Sequence, residues 1–222
     1  MATGGLGDKS YNDISYAGVQ RAKDELGIEF DKVEPTAISE YVGYQRDFAS
    51  SGEYELIICI GFDQAEGLTI VADEYPDQQF AIVDMVVDKP NVASLLFKEN
   101  EGSFLVGIIA ASVTSQGGTV GFVGGMDIPM IHNFFEGYQA GVLYLSTSLD
   151  LGITVLNPVY VNDWADPVTA KELALNLVED GAEVLFSSAG KSGLGVLEAC
   201  NETGIWGIGV DLSQGYLYRF KC

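Results

Sequence analysis

The residues of this 222-residue chain that could do chemistry stand where its apolar runs give way to polar loops. Tyr11 and Asn12 close an opening string, Ala2-Thr3-Gly4-Gly5-Leu6-Gly7-Asp8-Lys9-Ser10-Tyr11-Asn12, that is rich in glycine. Asp63 follows Cys59-Ile60-Gly61-Phe62, Asp84 closes Phe80-Ala81-Ile82-Val83, and Gly124-Gly125 follow Val120-Gly121-Phe122-Val123. Asn162 and Trp164 follow Val159-Tyr160-Val161, Ser188 and Gly190 follow Val184-Leu185-Phe186, and Asp211 ends Gly207-Ile208-Gly209-Val210. Two rings in polar loops, Tyr11 and Trp164, can sandwich a flat heterocycle, each stack contributing about 1–3 kcal/mol. Carboxylates accept from N–H and O–H donors, so Asp84 and Asp211 suit a neutral ligand rich in such donors, the amide and amino groups of a base for one and paired ribose hydroxyls for the other. Each residue alone also has a plainer reading: a ring that anchors its loop, or an aspartate that caps a helix.

Catalytic machinery is sparse by comparison. The single histidine, His132, lies one turn into an expected helix. No Gly-x-Ser-x-Gly elbow and no cluster of metal ligands occurs, so neither a catalytic group, a metal nor a cofactor is expected. Gly190-Lys191-Ser192 imitates the end of a phosphate loop, but the leading glycine is absent, position 185 being Leu. It reads instead as a glycine-rich turn from strand to helix whose amides can donate to a neutral ligand. Asp63 and Asp84 could act together as acid and base or hold a divalent cation, but no histidine or cysteine stands by to support them.

The elements that must position these residues follow from the apolar pattern. Runs at 55–62, 79–87, 91–97, 119–125, 153–161, 183–189 and 206–211 are mostly continuous, the signature of parallel strands covered on both faces. Helical stretches lie between them. Asn12 is the expected N-cap of the first, with Gly27 as its stop. Asp166-Pro167 opens a helix that Gly181 closes. Residues 101–115 are apolar almost all round and are expected to form a buried helix. The alternation gives a doubly wound α/β architecture, with crevice loops at the carboxyl ends of the strands. The lobe boundary is expected at Gln116-Gly117-Gly118, dividing the chain into 1–116 and 117–222.

Composition narrows the partners. Thirty-two acidic against eleven basic residues give a formal charge of -21, which repels nucleic acid and anionic lipid. No run of apolar residues is long enough to span a membrane, and the opening residues have neither the basic nor the apolar region of an export signal, so none is expected there. The three cysteines, Cys59, Cys200 and Cys222, fit neither a zinc site nor a disulfide framework.

Read in order, the strings GGLGDKSYN, QQFAIVD, NVASLLFKENEGSFLVGIIA, TVGFVGG, FFEGYQAGV, DWADPVTAKELA and WGIGVD resemble the basic membrane protein (Bmp) family, substrate-binding lipoproteins of ABC importers that include purine-nucleoside receptors. The resemblance implies a type I periplasmic-binding-protein fold, two Rossmann-like lobes with parallel sheets that close on a nucleoside. It implies a ligand set of Asp8, Tyr11, Asn12, Asp84, Trp164, Ser188, Gly190 and Asp211. Tyr11 and Trp164 would stack on the base where the family often has Phe, Asn12 and Asp84 would contact the base, and Asp211 the ribose. An ABC permease would be the partner of a monomeric, lipid-anchored, extracytoplasmic receptor. The family pattern also has a signal peptide, a lipid-anchored cysteine and an apolar strand ahead of the Thr-x-x-Gly-Gly turn, and beyond Asp211 a ribose-contacting lysine, which Lys221 does not match, and returning helices. Here Met1 precedes that turn directly, and the first strand and the returning segment are expected to be missing. A sensor for another polar ligand and a nucleoside-processing enzyme are the competing readings.

Overall fold

The computed structural model describes residues 1–217, and Lys221 and Cys222 lie outside the described residues. The chain forms two compact units. The first holds Met1–Asp8 and Asn12–Phe97, and the second holds Lys9–Tyr11 and the chain from Lys98 onward.

In the first unit, α1 (Tyr11–Leu26) and α2 (Tyr41–Ser51) lead to β1 (Leu56–Ile60), α3 (Ala65–Glu74), β2 (Gln79–Val83) and β3 (Val92–Leu95). The three strands pair in the order β1-β2-β3, all parallel. Ile57, Cys59, Phe80 and Ile82 bury one face of this sheet with Ala49 of α2 and with Leu68, Val71 and Ala72 of α3. The alternate residues Leu56 and Ile58 stay 50% and 43% exposed. The expectation of strands covered on both faces is therefore corrected for β1. Its apolar run is continuous, but the two-residue period of a strand sends alternate side chains to a face that the helices of this unit do not cover.

The second unit runs α4 (Glu99–Val113), β4 (Thr119–Gly124), α5 (Pro129–Ser148), β5 (Thr154–Val155), β6 (Val159–Tyr160), α6 (Pro167–Glu179), β7 (Ala182–Ser188), α7 (Gly193–Thr203) and β8 (Trp206–Ile208). Its parallel sheet has the order β5-β4-β7-β8, with β6 also paired to β4. The apolar run 153–161 yields two short strands, and Asn157-Pro158 falls between them. Proline has no N–H to give to a ladder, which suits it to that break. Here burial on both faces does occur: β4 from Val120 to Gly124 and β7 from Val184 to Ser188 are buried throughout.

The boundary lies at Phe97/Lys98 rather than at 116/117, because α4 packs on α5 of the second unit. The contact is backbone to backbone. A Cβ on Gly141 would land on the carbonyl oxygen of Phe104, and one on Gly107 would land on that of Tyr138. The outer row of α4 faces away, with Leu105 61% and Ile109 57% exposed. This corrects the expectation of a wholly buried helix: hydropathy measured all round an element does not tell which face is covered.

The helix ends follow local chemistry. Asp166 caps α6, its side chain accepting from Val168 N and Thr169 N, and Gly27 ends α1 in the left-handed region at φ 70. The expected Asn12 cap is corrected. The helix already begins at Tyr11, and the carboxylate of Asp8 takes the amides of Asn12 (2.7 Å) and Asp13 (3.1 Å).

The close approach of α4 and α5 has a direct test in denaturant unfolding. Gly141→Ala should lose about 1–3 kcal/mol or more through overpacking. Gly102→Ala, also in α4 but with nothing within 4 Å of its Cβ position, should gain about 0.5–1 kcal/mol.

Candidate functional site

The expected site residues divide between the two units. Asp8, Asn12 and Asp84 belong to the first, and Tyr11, Trp164, Ser188, Gly190 and Asp211 to the second.

In the first unit Asp8 and Asn12 are buried, at 2% and 3% exposure. The Asn12 side-chain oxygen accepts from Ala2 N at 2.9 Å, so this residue ties the opening turn to the first turn of α1. Asp84 follows β2 directly with φ 66, and its amide donates to Leu95 O at 2.9 Å. The opening turn is held from the other side by Asp63, one of the strand-end carboxylates, together with Tyr41, which the sequence did not single out. Tyr41, 2% exposed, accepts from Thr3 N at 2.9 Å and donates to Asp63 Oδ2 at 3.0 Å. Burial pushes the Tyr41 phenol up to about 12, with the Asp63 charge adding to it. The other Asp63 oxygen, Oδ1, is buried and has no hydrogen-bond partner among the described residues. Desolvation accordingly raises the Asp63 carboxyl above the usual carboxylate range, with the Tyr41 hydrogen bond opposing.

In the second unit the site grows from the ends of β4 and β7. These strands run in register to Gly124 and Ser188, and Gly125 N then donates to Ser188 O at 2.9 Å. The Trp164 ring takes the space next to Gly125, where any Cβ would collide with it, and its Cε3 lies 3.6 Å from the Cβ position of Gly190. A side chain at Gly125 would displace the ring, so the glycine is a steric requirement of the aromatic platform. Ser188 is 4% exposed at the strand end, and Gly190 turns away with φ 55.

The loop that carries Trp164 is clipped by Ser192. The Ser192 hydroxyl donates to Asp163 O at 2.7 Å and accepts from Asp166 N at 2.8 Å, while its own amide donates to Trp164 O at 3.1 Å. Ser192 is fully buried. The Gly190-Lys191-Ser192 string is thus a clasp for the aromatic loop, a role that sequence reading missed. Its signal was a small hydroxyl residue at the start of a helix, a position that suits local side-chain to backbone hydrogen bonds.

Asp211 lies on the far side of β8 from the start of the chain in sequence, yet its carboxylate accepts a hydrogen bond from the Ser10 hydroxyl. Its backbone is left-handed, at φ 67. His132 stands in the first turn of α5, 41% exposed, with Nε2 2.6 Å from Asp127 Oδ1. Among the described residues no group of three or more His, Cys, Asp or Glu could hold a metal ion, and no helix is long and apolar enough to cross a membrane. Cys59 and Cys200 are buried free thiols, each pushed up to about 12 by burial.

Residues 1–219 match the family described as Bmp, ABC transporter substrate-binding protein PnrA-like. The chain belongs to the Bmp family. An uncharacterized lipoprotein of Pyrococcus horikoshii is 36% identical over 216 residues, covering 96% of this chain and 53% of that protein. The ABC transporter nucleoside-binding protein BmpA of Lactococcus lactis is 30% identical over 230 residues, 98% of this chain and 64% of that one. A solute-binding protein of an ABC transporter system from Aeropyrum pernix, solved as a crystal structure, superposes with a TM-score of 0.85 at 33% identity, over 96% of this chain and 61% of the other. The Bmp chain therefore spans between half and two thirds of the length of these relatives. Its family is one of binding proteins and not of enzymes, and its α/β fold with parallel sheets is that of the periplasmic binding proteins.

Two measurements check the local chemistry. A carboxyl raised in the folded state favours its protonated form there. Its contribution to stability is present below the unfolded value and is lost as pH rises through the folded one. Asp63→Asn, which keeps an acceptor for Tyr41 and removes the buried charge, should therefore gain stability relative to the parent between about pH 4 and pH 7 in paired denaturant titrations. Ser192→Ala leaves Asp166 N without its acceptor and should cost about 1–3 kcal/mol in the same experiment.

Proposed function

We propose that this Bmp chain is the ligand-holding part of an extracytoplasmic receptor that captures a purine nucleoside and delivers it unchanged to the permease of an ABC importer. The observation that carries this reading is the seated ring of Trp164: an aromatic face held on Gly125 and clipped by Ser192, in a unit that also presents an exposed, tethered carboxylate at Asp211. A flat apolar face and a hydrogen-bond acceptor in one unit fit a ligand with a planar heterocycle and a hydroxyl-rich sugar. Tyr11, grouped with the same unit, is the proposed second ring. Asn12 and Asp84 are proposed for the polar edge of the base, with Asp8 fixing the first turn of α1 that carries Asn12, and Ser188 and Gly190 line the strand end.

Three further points support the reading. The net charge of -21 disfavours an anionic ligand and suits a neutral one. The Lactococcus relative carries the name of a nucleoside-binding protein. The lipoprotein name of the Pyrococcus relative supports a membrane-anchored setting. The receptor is proposed to work as a monomer that carries no cofactor.

Titrating the chain with inosine, guanosine and adenosine by calorimetry, followed by chromatography of the mixture after hours, tests the proposal. A bound, intact nucleoside is the expected result, with Trp164→Ala weakening it by about 1–3 kcal/mol and the 5′-phosphate binding more weakly than the nucleoside. Tighter binding of the nucleotide, or free base accumulating beyond one equivalent, would overturn it.

A further inference from the structure

Asp211 is an exposed residue whose carboxylate is nevertheless tied to a fully buried hydroxyl, that of Ser10. The two residues are separated by 201 positions in the sequence. A second side chain joins the same two segments. Gln214, 6% exposed, donates from Nε2 to Lys9 O at 2.7 Å, and its Oε1 accepts from Val210 N at 3.2 Å. Lys9 precedes Ser10 and Val210 precedes Asp211, so the cross-link brackets the Ser10–Asp211 pair. Both ends of this link are also bent in the same way, Lys9 with φ 53 and Asp211 with φ 67.

An exposed carboxylate normally samples several rotamers, and holding it for a ligand costs entropy at the moment of binding. A hydroxyl donor fixed in the protein interior settles that orientation in advance. The sugar of a nucleoside offers adjacent O–H donors, and two donors at a fixed spacing are read best by a carboxylate of fixed orientation.

We infer that Ser10 is a positioning residue for Asp211, orienting its carboxylate for the vicinal ribose hydroxyls of the ligand, with Gln214 holding the two segments in register. This rests on the nucleoside reading above and adds to it a residue that does not itself touch the ligand. It also gives the Lys9–Tyr11 segment a reason to group with the second unit while its neighbours Asp8 and Asn12 group with the first.

The test compares inosine with 2′,3′-dideoxyinosine, which keeps the base and lacks the two hydroxyls. Calorimetric affinities are measured for the unaltered chain, Ser10→Ala, Asp211→Asn and the double variant. Ser10→Cys, which keeps the volume and replaces the hydroxyl with a poor donor, guards against a folding defect in the alanine variant. Ser10→Ala should weaken inosine by about tenfold, the order expected for one hydrogen bond to a charged group, and leave dideoxyinosine nearly unchanged. Ser10→Cys should shift in the same direction. In the Asp211→Asn background, Ser10→Ala should add little. Equal losses on both ligands, or no loss on either, would overturn the positioning role while leaving the nucleoside reading intact. Failure of the unaltered chain to bind inosine would overturn that reading and this inference with it.

Discussion

The second unit depends on the parallel pairing of β4 with β7. Both strands are buried on both faces from Val120 and Val184 onward, so their amides and carbonyls have only the ladder to satisfy them. That requirement fixes the register, and the register brings Gly124 level with Ser188. The loops that leave the two strands therefore depart from one line. Gly125, bare of a side chain, and Gly190, turned back by its positive φ, leave room there for Trp164. The aromatic platform is a consequence of sheet register as much as of the tryptophan itself. Packing behind the sheet maintains it: Phe122 and Phe186 lie edge to face with ring centroids 5.5 Å apart, and the Tyr138 ring of α5 packs tilted against Phe186 at 5.3 Å.

Much of this was legible in the chain. The strands were readable because parallel strands show up as unbroken apolar runs, in β4 and β7 because both faces are covered, and every such run contains a strand even though β1 keeps one face exposed. The Asp166-Pro167 start of α6 was readable because a capping side chain and a proline at the first turn are local signals. What escaped was whatever depended on a distant partner. Asn12 looks like a cap in sequence, but its side chain answers to Ala2, and Asp8 does the capping. Leu105 and Ile109 look like core residues, but the glycines of α4 and α5 decide which face is inside. Tyr41 and Gln214 bear no motif, Ser192 sits in a string that points to a different role, and what the three do exists only in the folded chain.

The charge is arranged to leave the surface strongly acidic. Most of the visible cations are engaged with carboxylates at exposed positions, as in Arg46 with Glu74 and Lys171 with Glu198 and Glu202. Such pairs contribute little to stability in water. Their effect is to remove positive patches, leaving a surface field that repels anions and does not hinder a neutral solute.

Each unit carries an aspartate with left-handed backbone beyond a strand, Asp84 directly after β2 at φ 66 and Asp211 three residues after β8 at φ 67. Outside glycine, aspartate and asparagine are the residues that enter this region most readily, and β-branched residues almost never do. Inheritance at these two positions is thereby channelled. A lineage can exchange carboxylate for amide, adding donors where only acceptors stood, or it can fall back to a bare glycine. It cannot readily enlarge or reshape the side chain without rebuilding the turn. Divergence at these two turns would then proceed by reversing hydrogen-bond polarity, while changes of side-chain size arise elsewhere in the loops.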